Sequence, residues 1–121
     1  MIEEGVLEDP NVDVIYGIHV WSHLKTGTFG IREGPVLAAT GEIELEIIGK
    51  GGHGASPHET TDPVPIAAQV ILAFQTIISR NLNPLESGVV TVGSIKAGEA
   101  FNIIPERVYM NGTYRFCTQE T

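Results

Sequence analysis

Hydrophobic and polar residues alternate along three stretches of the chain, and each alternation is typical of a β-strand with one face buried. Residues 42–48 alternate glutamate with isoleucine and leucine, and further strands are predicted at residues 89–95 and 107–116. The residues predicted to point inward in the first strand are Ile43, Leu45 and Ile47. One face of the third strand is predicted to carry Val108, Met110, Tyr114 and Phe116.

A helix is predicted between the first two strands. Asp62 is suited to cap its first turn. Pro63 suits the first helical position, because the N–H group that proline lacks would have no acceptor within the helix there. The helix should end near Arg80 and Asn81, before Asn83-Pro84. Its apolar residues recur at helical spacing; they are Ile66, Val70, Ile71, Phe74, Ile77 and Ile78.

The order strand, helix, strand, strand predicts an α+β fold. It matches the first four elements of the ferredoxin-like, or split βαβ, arrangement, which a second helix and a fourth strand would complete. The sequence reaches Thr121 where that helix is expected to begin. We therefore expect an incomplete ferredoxin-like domain, with part of one sheet face covered by another chain or by the N-terminal segment.

The N-terminal third has a different pattern. Residues 12–21 form an apolar run rich in β-branched side chains, which predicts a strand buried on both faces, as in the parallel sheet of a doubly wound α/β domain. No other strands or crossover helices for such a sheet are found in the sequence. This indicates a fragment of a larger protein, with a domain boundary near residues 34–40.

Composition narrows the possible functions. The chain has 121 residues, 42% of them hydrophobic, which suffices for a globular core. A formal charge of −8 with no basic run argues against nucleic acid as a partner. No uninterrupted apolar run has transmembrane length, so no membrane partner is expected. The single cysteine, Cys117, fits a reducing, cytoplasmic setting.

The segment around His53 is the strongest candidate for a functional site. Three glycines, at positions 51, 52 and 54, surround one imidazole. Glycine is used where the backbone bends sharply or approaches another group closely, and a histidine there can bind, donate or titrate. The alternatives are a histidine placed only by the turn, or a phosphate-binding loop, although the Gly-Lys-Ser/Thr ending of such loops is missing.

Three further residues are candidates, each with an ordinary structural alternative. His19 ends the N-terminal apolar run, where ligands bind in open α/β sheets, and its imidazole suits a metal ion; it can equally be a partly buried structural residue. Asn102 lies among apolar neighbours and either caps a turn or orients a ligand. Arg115 can hold a carboxylate, or simply be solvated on its strand. His23 and His58 are interpreted as loop residues.

Several motifs together resemble the M20 family of metallopeptidases, in particular the branch of amidohydrolases that includes hippurate hydrolase and auxin-conjugate hydrolases. They occur in the family's order over nearly the whole chain. The motifs are GIHVW at 17–21, REGP at 32–35, KGGHGA at 50–55 followed by PH at 57–58 and DP at 62–63, GEAFNIIP at 98–105, and GTYR at 112–115.

The resemblance implies a two-domain parent enzyme that hydrolyses the amide bond of N-acyl or peptidyl amino acids. A doubly wound catalytic domain would bind two divalent metal ions, zinc or manganese, and a ferredoxin-like lid would mediate formation of a homodimer. Residues 1–35 would be the end of the first catalytic segment, and residues 36–121 most of the lid. The isolated chain, without most metal ligands, is expected to be inactive and to bind no metal.

The resemblance also assigns roles to individual residues. His19 would be a metal ligand, and His53 would reach into the partner's active site to stabilise the developing oxyanion. Asn102 and Arg115 would contact the substrate, Arg115 through its carboxylate. One departure lies after residue 21, where the family has proline and this chain has Ser22, which leaves the shape of that loop open. The alternative function is a non-catalytic ferredoxin-like dimerisation or ligand-binding module.

Overall fold

The computed structural model describes residues 2–117, and the chain divides into two units, Met1–Arg32 and Glu33–Thr121. Every helix and strand found in the described residues belongs to the second unit. That unit has an α+β architecture, in which one α-helix accompanies a three-stranded antiparallel sheet. The predicted α+β class is thereby confirmed.

The second unit contains five strands. The main sheet is formed by three long strands in the order β1-β5-β3, and the two short strands pair with each other. All three predicted strands are confirmed, and two of them extend a few residues beyond the predicted ends. The strands are β1 (Ala39–Ile48), β2 (Gly52–His53), β3 (Gly88–Ala97), β4 (Ile103–Ile104) and β5 (Arg107–Phe116).

The predicted helix is present as α1 (Pro63–Thr76), which continues into a short π-helical turn, Ile77–Asn81. The Asp62 carboxylate accepts a hydrogen bond of 2.9 Å from the Val64 amide, as the predicted cap requires. Pro63 is buried at the first position of the helix. By length and composition alone, residues 63–81 would qualify as a membrane span, but one side of this segment packs against the sheet.

The core lies between α1 and one face of the sheet. Ala67, Val108 and Met110 form its buried cluster, and the small alanine allows the helix to approach the strands closely. Partly buried residues packed against the cluster are Leu45, Ile47, Val70, Ile71 and Val92. Of the apolar residues that recur at helical spacing, Ile66 and Ile77 are 41% and 38% exposed. Each residue turns the helix by about 100°, so Ala67 occupies the buried position beside Ile66.

The opposite sheet face is polar and carries an ion pair between Arg107 and Glu46. These residues lie on neighbouring strands, because Glu46 is opposite Tyr109 in the β1–β5 register. Hydrogen bonds from Arg107 and from Tyr109 hold the pKa of the Glu46 carboxyl below its usual value, and the same contact raises the pKa of Arg107. The alternation of wet glutamates and inward aliphatic residues predicted for β1 is confirmed.

The first unit differs from its prediction. Residues 14–21 have no regular secondary structure, so the expected strand of a doubly wound sheet is not formed here. A strand is stabilised by hydrogen bonds to neighbouring strands, and among residues 2–32 the one β-bridge found joins Glu8 to Asn11, outside that segment. Apolar side chains of the run are consequently exposed, including Ile15 at 70% and Ile18 at 88%.

Candidate functional site

The two short strands bring the His53 loop against the segment around Asn102. His53 pairs with Ile103, and Gly52 pairs with Ile104, in an antiparallel ladder. One residue further on, the Gly54 amide donates a 2.9 Å hydrogen bond to the Asn102 carbonyl. Gly54 and Asn102, which are 48 positions apart in the sequence, are thereby placed side by side. Strands this short have no periodic pattern, and the sequence did not predict them.

The glycines around His53 serve the close approach of two backbones. A Cβ atom on Gly54 would lie 2.8 Å from the Asn102 carbonyl oxygen, and one on Gly51 would lie 2.8 Å from that of Ile104. Neither glycine has a positive φ angle. Of the two uses of glycine considered from the sequence, close approach is therefore the one found.

The loop that carries His53 is closed at its base. Lys50 and Thr61 exchange two main-chain hydrogen bonds, of 2.9 and 3.0 Å. Between them, a single 3₁₀ turn, Pro57–Glu59, includes His58, whose ring lies 4.0 Å from the Glu59 carboxylate and is largely exposed. The loop thus presents His53 from a fixed base.

The His53 imidazole is exposed and is held by its own loop. The Ala55 amide donates to Nδ1 at 3.0 Å, and the Ser56 amide donates to the His53 carbonyl at 2.8 Å. Among the described residues no contact to Nε2 is found, so this nitrogen is the one available to an external partner. The arrangement can donate a hydrogen bond to an oxygen atom brought to the exposed side of the loop.

Apolar residues flank Asn102 in the segment that pairs with the His53 loop. Directly opposed residues of an antiparallel pair project from the same face, so the Ile103 side chain accompanies His53, and it is 56% exposed. Phe101, next to Asn102, is fully exposed. An open groove of about 560 Å³ extends from Ile103 along the start of β5 to Tyr109. The motif drew attention to Asn102, whereas sequence reasoning gave no role to Phe101.

Arg115 lies far from this junction within one chain. It is eight residues along β5 from Arg107, which begins that strand just after β4. At about 3.4 Å per residue this separation is about 27 Å. Its guanidinium is exposed and donates to the Thr113 hydroxyl at 3.2 Å. A single chain therefore unites His53 with Asn102 but does not bring Arg115 to them.

His19 belongs to the first unit. Its Nδ1 lies 2.8 Å from the Val20 carbonyl oxygen, and its ring stacks on Trp21 with centroids 4.6 Å apart. A carbonyl oxygen only accepts hydrogen bonds, so Nδ1 carries the proton and Nε2 presents a lone pair, as a metal-ligating histidine requires. In the described part of the chain, no group of three or more His, Cys, Asp or Glu side chains is arranged to hold a metal ion.

The second unit is a helix-backed antiparallel sheet that presents one histidine on a closed, glycine-rich loop. Residues 38–121 match the family model described as the peptidase dimerisation domain of M20, and the chain belongs to this family. The prediction from the sequence motifs is confirmed.

Curated relatives are hydrolases of the same family. The chain is 46% identical to N-acyl-L-amino acid amidohydrolase of Geobacillus stearothermophilus over 95% of its length, and 44% identical to N-acetyl-L-cysteine deacetylase of Bacillus subtilis over 95%. It covers 30% and 27% of those two proteins. The chain spans between 26% and 32% of the curated relatives it matches.

Solved structures agree with this family. One from methicillin resistant Staphylococcus aureus aligns with 98% of this chain and 31% of its own, with a TM-score of 0.85 and 41% identity. Another, YXEP of Bacillus subtilis, is described as a dinuclear metal binding peptidase of the M20 family. It aligns with 98% of this chain and 27% of its own, with a TM-score of 0.59 and 32% identity.

Proposed function

We propose that this chain is the lid and dimerisation region of a two-metal amidohydrolase that cleaves the amide bond of N-acyl or peptidyl amino acids. The observation that carries the proposal is the junction of His53 and Asn102, made by the Gly54 amide and the Asn102 carbonyl. It places one imidazole and one carboxamide, both exposed, on two loops joined by this hydrogen bond. The names of the curated relatives, which include an amidohydrolase and deacetylases, support this reaction class.

Within this proposal the two regions of the chain belong to different domains of the parent. Residues 1–35 form the end of the first catalytic segment, and residues 36–121 form a ferredoxin-like lid. The strand order β1-β5-β3 is that of the first three strands of such a fold, which leaves the outer edge of β1 for a fourth strand. The run at residues 12–21 would pair as a strand only once its sheet partners are present.

His19 is the residue of this chain that we assign to the metal centre. Its proton on Nδ1 is engaged by the Val20 carbonyl, which leaves Nε2 as the ligating atom. Two divalent ions, zinc or manganese, would supply an activated water that attacks the scissile carbonyl. The description of YXEP as a dinuclear metal binding peptidase supports a two-metal parent. The remaining ligands would come from the parent's catalytic domain.

We infer from the separation of Arg115 from the His53 junction that these residues would serve different active sites of a homodimer. His53 and Asn102 would reach together over the partner's metal centre, where the imidazole donates to the oxyanion. Arg115, about 27 Å along β5 from Arg107 by strand geometry, would bind the substrate carboxylate at its own subunit's centre. Each active site would thus be completed by two chains, and no nucleic acid or membrane takes part.

The substrate is a small molecule with an amide bond and a free carboxylate, in a cytoplasmic enzyme. An acyl group of apolar character fits the exposed Phe101 and Ile103, which flank Asn102 in the segment that pairs with the His53 loop. Substitutions in the proposed longer hydrolase that would contain this chain test the reaction assignment. His53→Ala should lower kcat by about 10²–10³-fold, the cost of one oxyanion donor. His58→Ala, in the same loop, should leave kcat within about twofold, because its ring is largely exposed and lies 4.0 Å from the Glu59 carboxylate. Equal effects of the two substitutions would exclude the catalytic role.

A further inference from the structure

We propose that the Ala55 amide fixes the neutral His53 imidazole as its Nε2–H tautomer, so that the ring acts as an uncharged hydrogen-bond donor. The catalytic meaning of this inference rests on the proposed function, whereas the tautomer itself rests on the geometry of the loop. Ala55 is thus a positioning residue that acts through its main chain, and its side chain is not required.

The tautomer follows from which atoms donate. The Ala55 nitrogen lies 3.0 Å from His53 Nδ1. A main-chain amide only donates, so Nδ1 must present its lone pair to it. A neutral imidazole carries one proton, which is consequently on Nε2.

Neighbouring contacts determine the direction of the Ala55 amide. The Gly54 amide donates to the Asn102 carbonyl at 2.9 Å, and the Ser56 amide donates to the His53 carbonyl at 2.8 Å. Three successive amides, at positions 54, 55 and 56, are therefore engaged, and the middle one is aimed at the imidazole. The tie to Asn102 also explains why this geometry needs glycine at position 54, where a Cβ atom would lie 2.8 Å from the Asn102 oxygen.

The second candidate histidine of the chain has the opposite arrangement. His19 Nδ1 faces a carbonyl oxygen at 2.8 Å, which requires the proton on Nδ1 and leaves Nε2 as an acceptor. One ring is therefore set up to ligate through Nε2 and the other to donate through Nε2. Because a neutral donor needs no added proton, His53 can stabilise negative charge that develops on a bound carbonyl oxygen.

Nuclear magnetic resonance of the 121-residue chain with ¹⁵N-labelled histidine tests the tautomer directly. At a pH where imidazoles are neutral, His53 should show a pyridine-like Nδ1 and a pyrrole-like Nε2, with essentially no second tautomer. His58 is the internal comparison, because no amide donor to its ring is found within residues 2–117, and it should show a mixture. A pyrrole-like Nδ1 on His53, or the same mixture as His58, would overturn the proposal.

Hydrogen exchange provides a second measurement that does not depend on assigning ring nitrogens. Removing the acceptor with His53→Ala should speed exchange of the Ala55 amide by about five- to tenfold, equivalent to one hydrogen bond. His58→Ala should leave that rate unchanged. If both variants change the Ala55 amide equally, the hydrogen bond to Nδ1 is absent.

Activity of the longer hydrolase separates the tautomer from the reaction assignment. Glutamine places an N–H donor near the position of Nε2, whereas asparagine reaches only as far as Nδ1. His53→Gln should therefore retain at least about tenfold more kcat than His53→Asn, equivalent to one hydrogen bond donated to an oxyanion. If the Nε2–H tautomer is found but both variants have equal kcat, the loop geometry is correct and the catalytic use of the ring is wrong.

Discussion

The Gly54 amide donates to the Asn102 carbonyl across 2.9 Å, and this contact joins the two loops that carry the candidate imidazole and carboxamide. The main-chain approach is close enough that residue 54 has no room for a side chain on that side. Position 54 therefore links loop packing to the proposed chemistry.

Replacing Gly54 with alanine should destabilise the domain and separate the loops. The added methyl would meet the Asn102 oxygen at 2.8 Å, and overpacking of this kind costs about 1–3 kcal/mol. Gly93→Ala is the matched control, since nothing lies within 4 Å of its added methyl. Urea unfolding of both variants measures the difference. A loss of stability for Gly93→Ala as large as that for Gly54→Ala would contradict the close approach.

Neighbouring isoleucines of β4 should respond differently to truncation. Ile104 is 8% exposed, and removing its side chain should lower the free energy of unfolding by about 2–5 kcal/mol. Ile103 is 56% exposed, so Ile103→Ala should cost less than about 1 kcal/mol. Chemical denaturation compares the two. Equal costs would show that β4 does not have the described inward and outward faces.

The Glu46–Arg107 pair should make the free energy of unfolding decrease as the pH falls into the acidic range. The pKa of Glu46 is lowered from 4.5 in the folded chain, so its contribution is complete above about pH 4.5 and is lost as pH falls through the lowered value. The urea midpoint of Glu46→Gln should therefore lie below wild type at neutral pH and converge with it in acid. Glu44→Gln, opposite Asn111, is the control. A pKa of Glu46 at or above 4.5, measured by carboxyl titration, would contradict the pairing.

Arg115 and His53 should complement each other when mixed in dimers of the longer hydrolase. If they serve different active sites, an Arg115→Ala subunit paired with a His53→Ala subunit places both lesions in one site and leaves the other intact. Random assortment should then restore about a quarter of wild-type activity. Mixing Arg115→Ala with His19→Ala should restore none, because those residues would serve the same site. The reverse pattern would show that Arg115 joins His53 after all.

Much of the fold was predictable from the sequence because its long elements are periodic. The alternation in β1 and the Asp62-Pro63 start of α1 each specify an element through short-range physics. Which side of the helix faces the sheet was harder to predict from the sequence. Ile66 and Ala67 are adjacent, and only packing against Met110 and Val108 determines that Ala67 is the buried one.

The candidate site was predictable as residues but not as geometry. The glycines around His53 indicated a close approach, yet nothing in their spacing named Asn102 as the partner, because the β2–β4 ladder is two residues long. The composition of residues 12–21 predicts a strand, but a strand also needs neighbouring strands for its main-chain hydrogen bonds. Long-range pairing is the information that the pattern of one segment lacks.

The most direct test asks whether His53 acts on the metal centre of the partner subunit. In the longer hydrolase, His19→Ala should inactivate a subunit's own centre, and His53→Ala should inactivate the centre across the dimer. Neither variant alone should be active, but the mixture should regain about a quarter of wild-type activity, since half of its dimers are mixed and each mixed dimer has one intact site of two. Mixtures that stay as inactive as the separate variants would contradict the account.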